Sequence, residues 1–355
     1  MTTKLIFVDP ENVINSENDL KIAAEIIKQG GLVAFPTETV YGLGGDGTNP
    51  DAAKKIYSAK GRPSDNPLII HIAKPSDAEA YTYTNETYYK LAERFMPGPL
   101  TVVLAAKDSV PLETRGGLST VAVRCPSHPV AHRLIELCGL PIAAPSANLS
   151  GSPSPTDARH VIDDMQGRIE AIIDGGECEI GLESTIVKLE DDGSMVLLRP
   201  GRITVDELAF AAPVRLADAV VDRLKEGAVA LSPGMKYRHY ATNAPIVLLD
   251  GDVADIVEYI RAEGLSDTAV ICYTDDCERI SNILPGADIY DLGAKEDLLE
   301  QAHLLFSVLR EADKHNYKKI YAPLPSKDGV GLALYNRMIR AAAHTVINLR
   351  QEKNG

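Results

Sequence analysis

"AKGRPSDNPLIIHI", Ala59 to Ile72, carries the chain from the tail of one run into the start of another. Upstream, "PDAAKKIYSAK" (Pro50 to Lys60) opens with Pro and Asp, as a helix N-terminus does. Downstream, "NPLIIHI" is an apolar run ending at His71, of strand length and composition. The fold class follows from this helix-to-strand switch, because it recurs along the chain. Between the two runs stand Lys60 and Arg62, then Asn66. Paired cations before a buried-looking strand fit a solvated turn, and they equally fit a grip on a phosphate.

Outward from this stretch the alternation continues. Leu20 to Lys28 reads as a helix before the short apolar strand "GLVAFP" (Gly31 to Pro36). "LTVVLAA" (Leu100 to Ala106) and "TVAVRCP" (Thr120 to Pro126) are rich in β-branched residues and read as strands. "PVAHRLIELCG" is a helix closed by Gly139, and "PTDARHVIDDM" is a helix with Thr156 expected as its N-cap. "EAIIDGG", "STIVKLE" and "SMVLLRPG" complete an α/β unit by Gly201. A second series begins near Ala244. The strands "PIVLLD", "TAVICYT", "DIYDLG" and "KIYAPLP" alternate with helices such as "VADIVEYIRAEG" and "GLALYNRMIRAAA". That rhythm predicts a small parallel sheet of Rossmann-like type, without the G-x-G-x-x-G that a dinucleotide would require. Between the two series lies "ALSPGMKYRHYATNAP". Lys236, Tyr237, Arg238, His239 and Tyr240 in a row are not what a plain spacer uses.

A chain of 355 residues exceeds one ordinary core and suggests two domains. Hydrophobic and charged fractions of 45% and 24% are those of a globular protein. No apolar run approaches the roughly 18 residues that span a bilayer. The N-terminus has no cationic segment leading into an apolar one, so a cytoplasmic protein without a membrane contact is expected. The five cysteines form no C-x-x-C pair and read as reduced thiols. No Cys/His spacing suggests structural zinc, and no protein-bound metal site is expected. The net charge of −14 disfavours a grip on nucleic acid but allows one small basic pocket.

Several stretches carry candidate chemistry. "FPTETVYGLGGDG" (Phe35 to Gly47) reads as a Gly-rich loop after a strand, either a tight turn or a place of close backbone approach to an anion. It lacks the order of a Walker A loop. Thr37, Glu38, Thr39 and Tyr41 add polar groups to it. "APSANLSGSPSP" (Ala144 to Pro155) offers Ser146, Asn148, Ser150, Ser152 and Ser154 past a strand end, where open α/β sheets take ligands. Ser184, Thr185 and Arg199 stand at strand ends. Arg124 sits in an otherwise apolar strand, where an arginine needs a partner.

These stretches occur in order together with "PGPLTVVL", "IIDGG", "ESTIV", "LLRPG" and "SPGMKYRHYA". So arranged, the chain resembles the threonylcarbamoyl-AMP synthase family, in its long form with a YrdC-like domain, a linker and a smaller C-terminal domain. The resemblance covers nearly the whole chain. It implies a twisted-sheet α/β catalytic domain over residues 1–212, a linker that acts as an active-site lid over 213–244, and a Rossmann-like α/β domain over 245–355. It implies synthesis of L-threonylcarbamoyladenylate from L-threonine, bicarbonate and ATP, with Mg2+ accompanying the nucleotide and pyrophosphate released. The product passes to a tRNA threonylcarbamoyltransferase complex for t6A37 modification, so contact with tRNA itself is indirect or weak. Carried over residue by residue, Lys60 and Arg62 become the catalytic phosphate hands. Arg62, Asn66, Thr120, Ser146, Asn148, Ser154, Arg199 and Tyr237 would hold ATP. Thr39, His71, Arg124, Ala144 and Ser184 would hold threonine.

Two other readings compete. YrdC-like domains also occur in hydrogenase-maturation carbamoyltransferases, but those carry acylphosphatase and zinc-finger modules, and this chain lacks both the Cys pairs and the length. A non-enzymatic RNA-binding module with a basic cavity is the other alternative, and overall acidity and dense polar stretches disfavour it.

Overall fold

The structure is a computed structural model and describes residues 1–222 and 239–350. It divides into two compact units: Met1–Ser150 with Ser154–Tyr237, and Gly151–Pro153 with Arg238–Gly355.

In the first unit, in chain order, are β1 (Lys4–Phe7), α1 (Glu17–Lys28), β2 (Val33–Phe35), β3 (Gly42–Asp46), α2 (Pro50–Lys60), β4 (Ile69–His71), α3 (Glu86–Phe95), β5 (Leu100–Ala105) and α4 (Leu112–Arg115). Then come β6 (Thr120–Arg124), α5 (Pro129–Cys138), β7 (Ile142–Ala143), α6 (Ala158–Met165), β8 (Ala171–Asp174), β9 (Thr185–Leu189), β10 (Met195–Arg199), α7 (Val205–Leu208) and β11 (Val214–Leu216). The strands form one mixed sheet in the order β1-β8-β2-β3-β7-β4-β6-β5-β9-β10-β11. Helices α1 and α5 pack together over one part of it. Leu20, Ile27 and Leu134 from these helices are fully buried against Val33, Phe35 and Ile142. Each such side chain contributes about 1.5–3 kcal/mol.

Local chemistry sets the ends of the elements that matter for function. Asn49 caps α2 by accepting from the backbone N–H of Asp51 and Ala52. Gly61, at φ 63°, ends the helix in the left-handed conformation and leaves Lys60 as its last residue. Helix α5 likewise runs from Pro129 to a left-handed Gly139. The cap of α6 differs from the sequence expectation. Asp157 rather than Thr156 accepts the first-turn N–H, and a carboxylate one residue on is the better acceptor beside the helix dipole.

The glycine-rich segment also differs from expectation. Gly42 to Asp46 is not a loop but a strand, antiparallel to β2 and to β7. A Cβ on Gly44 would lie 2.6 Å from the Phe35 ring and 2.7 Å from Ile142, so the missing side chain is what lets neighbouring layers close.

In the second unit are β12 (Ile246–Asp250), α8 (Val253–Glu263), β13 (Thr268–Cys272), α9 (Thr274–Ile283), β14 (Ala287–Asp291), α10 (Leu298–Asp313), β15 (Lys319–Pro323), α11 (Gly331–Ala341) and β16 (Val346–Asn348). All pairings in its sheet, ordered β14-β13-β15-β12-β16, are parallel. This is the Rossmann-like arrangement, with one short strand, β16, beyond those the sequence pattern marks.

Gly44→Ala tests the strand reading. In an unconstrained strand this change is mildly stabilising, because it restricts the unfolded chain. Here overpacking against Phe35 and Ile142 should destabilise by about 1–3 kcal/mol. Urea denaturation midpoints measure it, and an unchanged or raised midpoint contradicts the packing.

Candidate active site

The site is assembled by strand register. His71, the last residue of β4, is paired with Arg124, the last residue of β6. Arg124 is paired in turn with Thr101 of β5, and Thr101 with Ile186 of β9. Directly paired residues project to the same face of a sheet, so three polar side chains from three strands meet there. The Thr101 and Ser184 hydroxyls are 2.7 Å apart. Arg199, at the end of β10, donates from Nη2 to Ser184 Oγ at 3.1 Å and from Nε to the Ser184 carbonyl at 3.0 Å. A continuous polar row therefore runs His71, Arg124, Thr101, Ser184, Arg199. All five residues are buried.

The loop after β7 forms a second wall. Ala144 donates its N–H to the Ile69 carbonyl, and Ala147 to that of Tyr41, which holds the loop against β4 and the start of β3. Lys60 fixes the rest. Its ammonium donates to the carbonyls of Ser146 and Asn148, both at 2.5 Å, and to Asn148 Oδ1 at 3.4 Å. Ser146 Oγ donates to Asn148 Oδ1. The ammonium of Lys60 is thus engaged with the loop and brings positive charge to it, and the residue is only 2% exposed. Arg62 is also anchored, donating from Nε to the Asn66 carbonyl at 3.2 Å and from Nη2 to that of Pro67 at 3.0 Å. The Asn66 Oδ1 atom is buried without a hydrogen-bond partner.

Two carboxylates complete the site: Glu38, one of the polar groups already marked in its glycine-rich stretch, and Glu183, which the sequence does not single out. Glu183 accepts from Ser154 Oγ at 2.6 Å. Glu38 forms a buried ion pair with Arg124, 2.8 Å from Nη2 to Oε1. An acidic residue in "FPTETVY" is legible as polar, but its partner lies some 86 positions away and only the fold reveals it. Thr39 lies beside Glu38 with its hydroxyl 2.8 Å from that of Thr37.

Of the residues expected to hold ligands, Thr39, Lys60, Arg62, Asn66, His71, Arg124, Ala144, Ser146, Asn148, Ser154, Ser184 and Arg199 all belong to these two walls or to the segments that join them. Thr120 opens the strand that Arg124 closes. It shares the face of Arg124 by alternation, but no side-chain hydrogen bond joins it to the others. Tyr237 lies outside the described residues, as do Lys236 and Arg238.

Charge in the site is carried by guanidinium, ammonium and carboxylate groups. Burial, and then the neighbouring Arg124 charge, pushes the His71 imidazole down to about 3. Among the described residues no three His, Cys, Asp or Glu side chains cluster as metal ligands, and no helix is long and apolar enough to cross a membrane. The second unit has a cavity of about 950 Å3 at the carboxyl ends of β12, β13 and β15, lined by residues including Asp250, Cys272, Tyr273, Ser326 and Lys327.

Comparison with known proteins agrees with this architecture. Residues 25–201 match a family described as "Telomere recombination" (Sua5, YciO and YrdC), and residues 203–343 match "Threonylcarbamoyl-AMP synthase, C-terminal domain". The threonylcarbamoyl-AMP synthase of Bacillus subtilis is 44% identical over 98% of this chain and 100% of its own length. That of Pyrococcus abyssi is 43% identical over 93% of this chain and 96% of its own. The crystal structure of P. abyssi Sua5 complexed with L-threonine superposes with a TM-score of 0.87, at 42% identity, covering 98% of this chain and 99% of that one.

His71 predicts a specific acid response. The unfolded imidazole titrates near its ordinary value of 6.5, whereas the folded one does so at about 3. Below 6.5 the unfolded chain binds a proton that the folded chain refuses. The contribution is full above 6.5 and lost as pH falls toward 3, with a slope of about 1.4 kcal/mol per pH unit. Urea titrations between pH 7 and 4 should show His71→Gln losing stability less steeply with acid than the parent; parallel slopes would refute a buried neutral His71.

Proposed function

Because the chain belongs to the threonylcarbamoyl-AMP synthase family, we propose that it makes L-threonylcarbamoyladenylate from L-threonine, bicarbonate and ATP, releasing pyrophosphate. The observation that carries this reading is the convergence of Arg124, Ser184 and Arg199 on one sheet face, next to a loop shaped by Lys60. An amino acid and a triphosphate are both anionic at the ends to be held, and a buried row of anchored cations suits both.

Chemically, the neutral amine of threonine adds to bicarbonate carbon and a C–O bond breaks as water leaves, giving a carbamate. The carbamate oxygen then attacks the α-phosphorus, and the bond to the bridging oxygen breaks as pyrophosphate leaves. Negative charge grows on the leaving group, and fixed cations in a low-dielectric site stabilise it without reorganising. That role would fall to Arg62 and Arg199; part of each guanidinium is already spent on backbone carbonyls, which holds the planar group rigid and supports the reading. Lys60 acts by holding Ser146 and Asn148, and by its charge. Arg124 takes the amino-acid carboxylate in a fork. The hydroxyls of Thr39 and Ser184 are the groups available to read the threonine hydroxyl, a contact that rejects analogues lacking it. His71, neutral, orients rather than charges the substrate. No nucleophilic side chain is needed, and positioning accounts for much of the rate.

Mg2+ accompanying ATP would neutralise part of the phosphate charge. Oxygen donors suit it, and Ser154 and Glu183, already hydrogen-bonded to each other, are the ones that would meet it. Tyr237 and the linker around it would close over the nucleotide and exclude water from the mixed anhydride. The adenylate is a reactive intermediate that must be consumed by a transferase acting on tRNA, consistent with a role in t6A37 modification.

Incubation of the chain with ATP, L-threonine, bicarbonate and Mg2+ should release pyrophosphate, and omitting threonine or bicarbonate should abolish it. Arg62→Ala should lower kcat/KM for ATP by about 10²–10³, the cost of one lost charge-stabilising donor. Pyrophosphate release indifferent to threonine would overturn the assignment, and so would tRNA retention on filters with no turnover.

A further inference from the structure

The Glu38–Arg124 pair is built differently from an ion pair that serves stability. Glu38 is 3% exposed and Arg124 4%. Yet among the described residues neither oxygen of Glu38 accepts a hydrogen bond, and Arg124 Nε and Nη2 donate none, although Nη2 stands 2.8 Å from Glu38 Oε1. The charges touch without aligned hydrogen bonds. A desolvated carboxylate costs several kcal/mol unless its lone pairs are satisfied. The neighbours do not supply what is missing. His71 is neutral. The Cys178 and Cys125 thiols are pushed up, chiefly by burial and further by Glu38, so they stay protonated. Burial holds His128 below its ordinary value against the pull of Glu38. Among the described residues Arg124 is therefore the one cation paired with Glu38, and both partners have valence to spare.

We propose that Glu38 is a substrate-positioning residue that holds the ammonium group of the amino acid, so that the Glu38–Arg124 pair reads a zwitterion: carboxylate on the guanidinium, ammonium on the carboxylate. This rests on the reading of the site as threonine-consuming. A zwitterion laid along the pair gives alternating charges and satisfies the orphaned atoms on both sides. It also fixes which end of the substrate faces which wall, because Thr39 and its hydroxyl follow Glu38 directly in the chain. In carbamate formation one proton of the ammonium passes to solvent and a second leaves with the bicarbonate hydroxyl as water; the nitrogen still carries one N–H for Glu38 to accept, while the new anionic group is repelled by the carboxylate and turned away from it. Glu38 thereby presents the amine without reacting.

Calorimetric titration of the full chain, without nucleotide, tests this with L-threonine and (R)-3-hydroxybutanoate, which is threonine lacking only the amine. The parent protein should prefer threonine by about 10- to 100-fold, the worth of a hydrogen bond to a charged group. Glu38→Gln should bring that preference down to within about threefold, and Glu38→Asp, which keeps the charge, should restore part of it. ATP affinity should not follow the series, which separates amine recognition from general damage. A preference that survives Glu38→Gln overturns the proposal. Failure of the parent to bind threonine at all overturns instead the function on which it rests. Should Glu38→Gln fail to fold, a crystal of the parent soaked in L-threonine decides: the nitrogen should lie about 3 Å from a Glu38 oxygen, and a nitrogen directed elsewhere refutes the role.

Discussion

The candidate site depends on one constraint, the register among β4, β6, β5 and β9. Side chains in a strand alternate between faces, so a slip of one residue in any of these ladders would turn its polar group away from the others. His71 opposite Arg124, and Arg124 opposite Thr101, are consequences of that ladder rather than of local sequence. The register is itself enforced by packing. Ile69, Val103, Ala122 and Ile186 fill a small core on the same sheet, and a slip would strip them from it.

On this frame the cations are held, not merely present. Lys60, Arg62 and Arg199 each spend donors on backbone carbonyls. Such bonds cost nothing at the moment a ligand arrives, because the orientation is already set by folding. This is the physical content of preorganisation, and it explains why an acidic chain can carry a deeply buried basic centre. The carboxylates at Glu38 and Glu183 balance part of that charge in the absence of a ligand.

Much of the architecture is legible in the chain. The helix-to-strand switch at Ala59 to Ile72, the left-handed closures at Gly61 and Gly139, and the parallel alternation after Ala244 are local signals with local causes. Local signals fail where tertiary contact decides. "GLGGD" has a composition that favours a turn, yet it is a strand because Phe35 and Ile142 leave no room for side chains there. Thr101 reads as an ordinary β-branched strand residue, and only its pairing with Arg124 and its contact with Ser184 give it a place in the site. Asp157 takes the cap expected of Thr156 because the two stand side by side and both can accept. Family resemblance, not periodicity, is what groups the scattered residues Arg62, Arg124 and Arg199 in advance of the fold.

An imidazole that declines protons adds no charge to the centre from neutrality well into acid. His71 thus behaves over that interval as a fixed dipole among charges and contributes nothing to any acid limb of the site's behaviour.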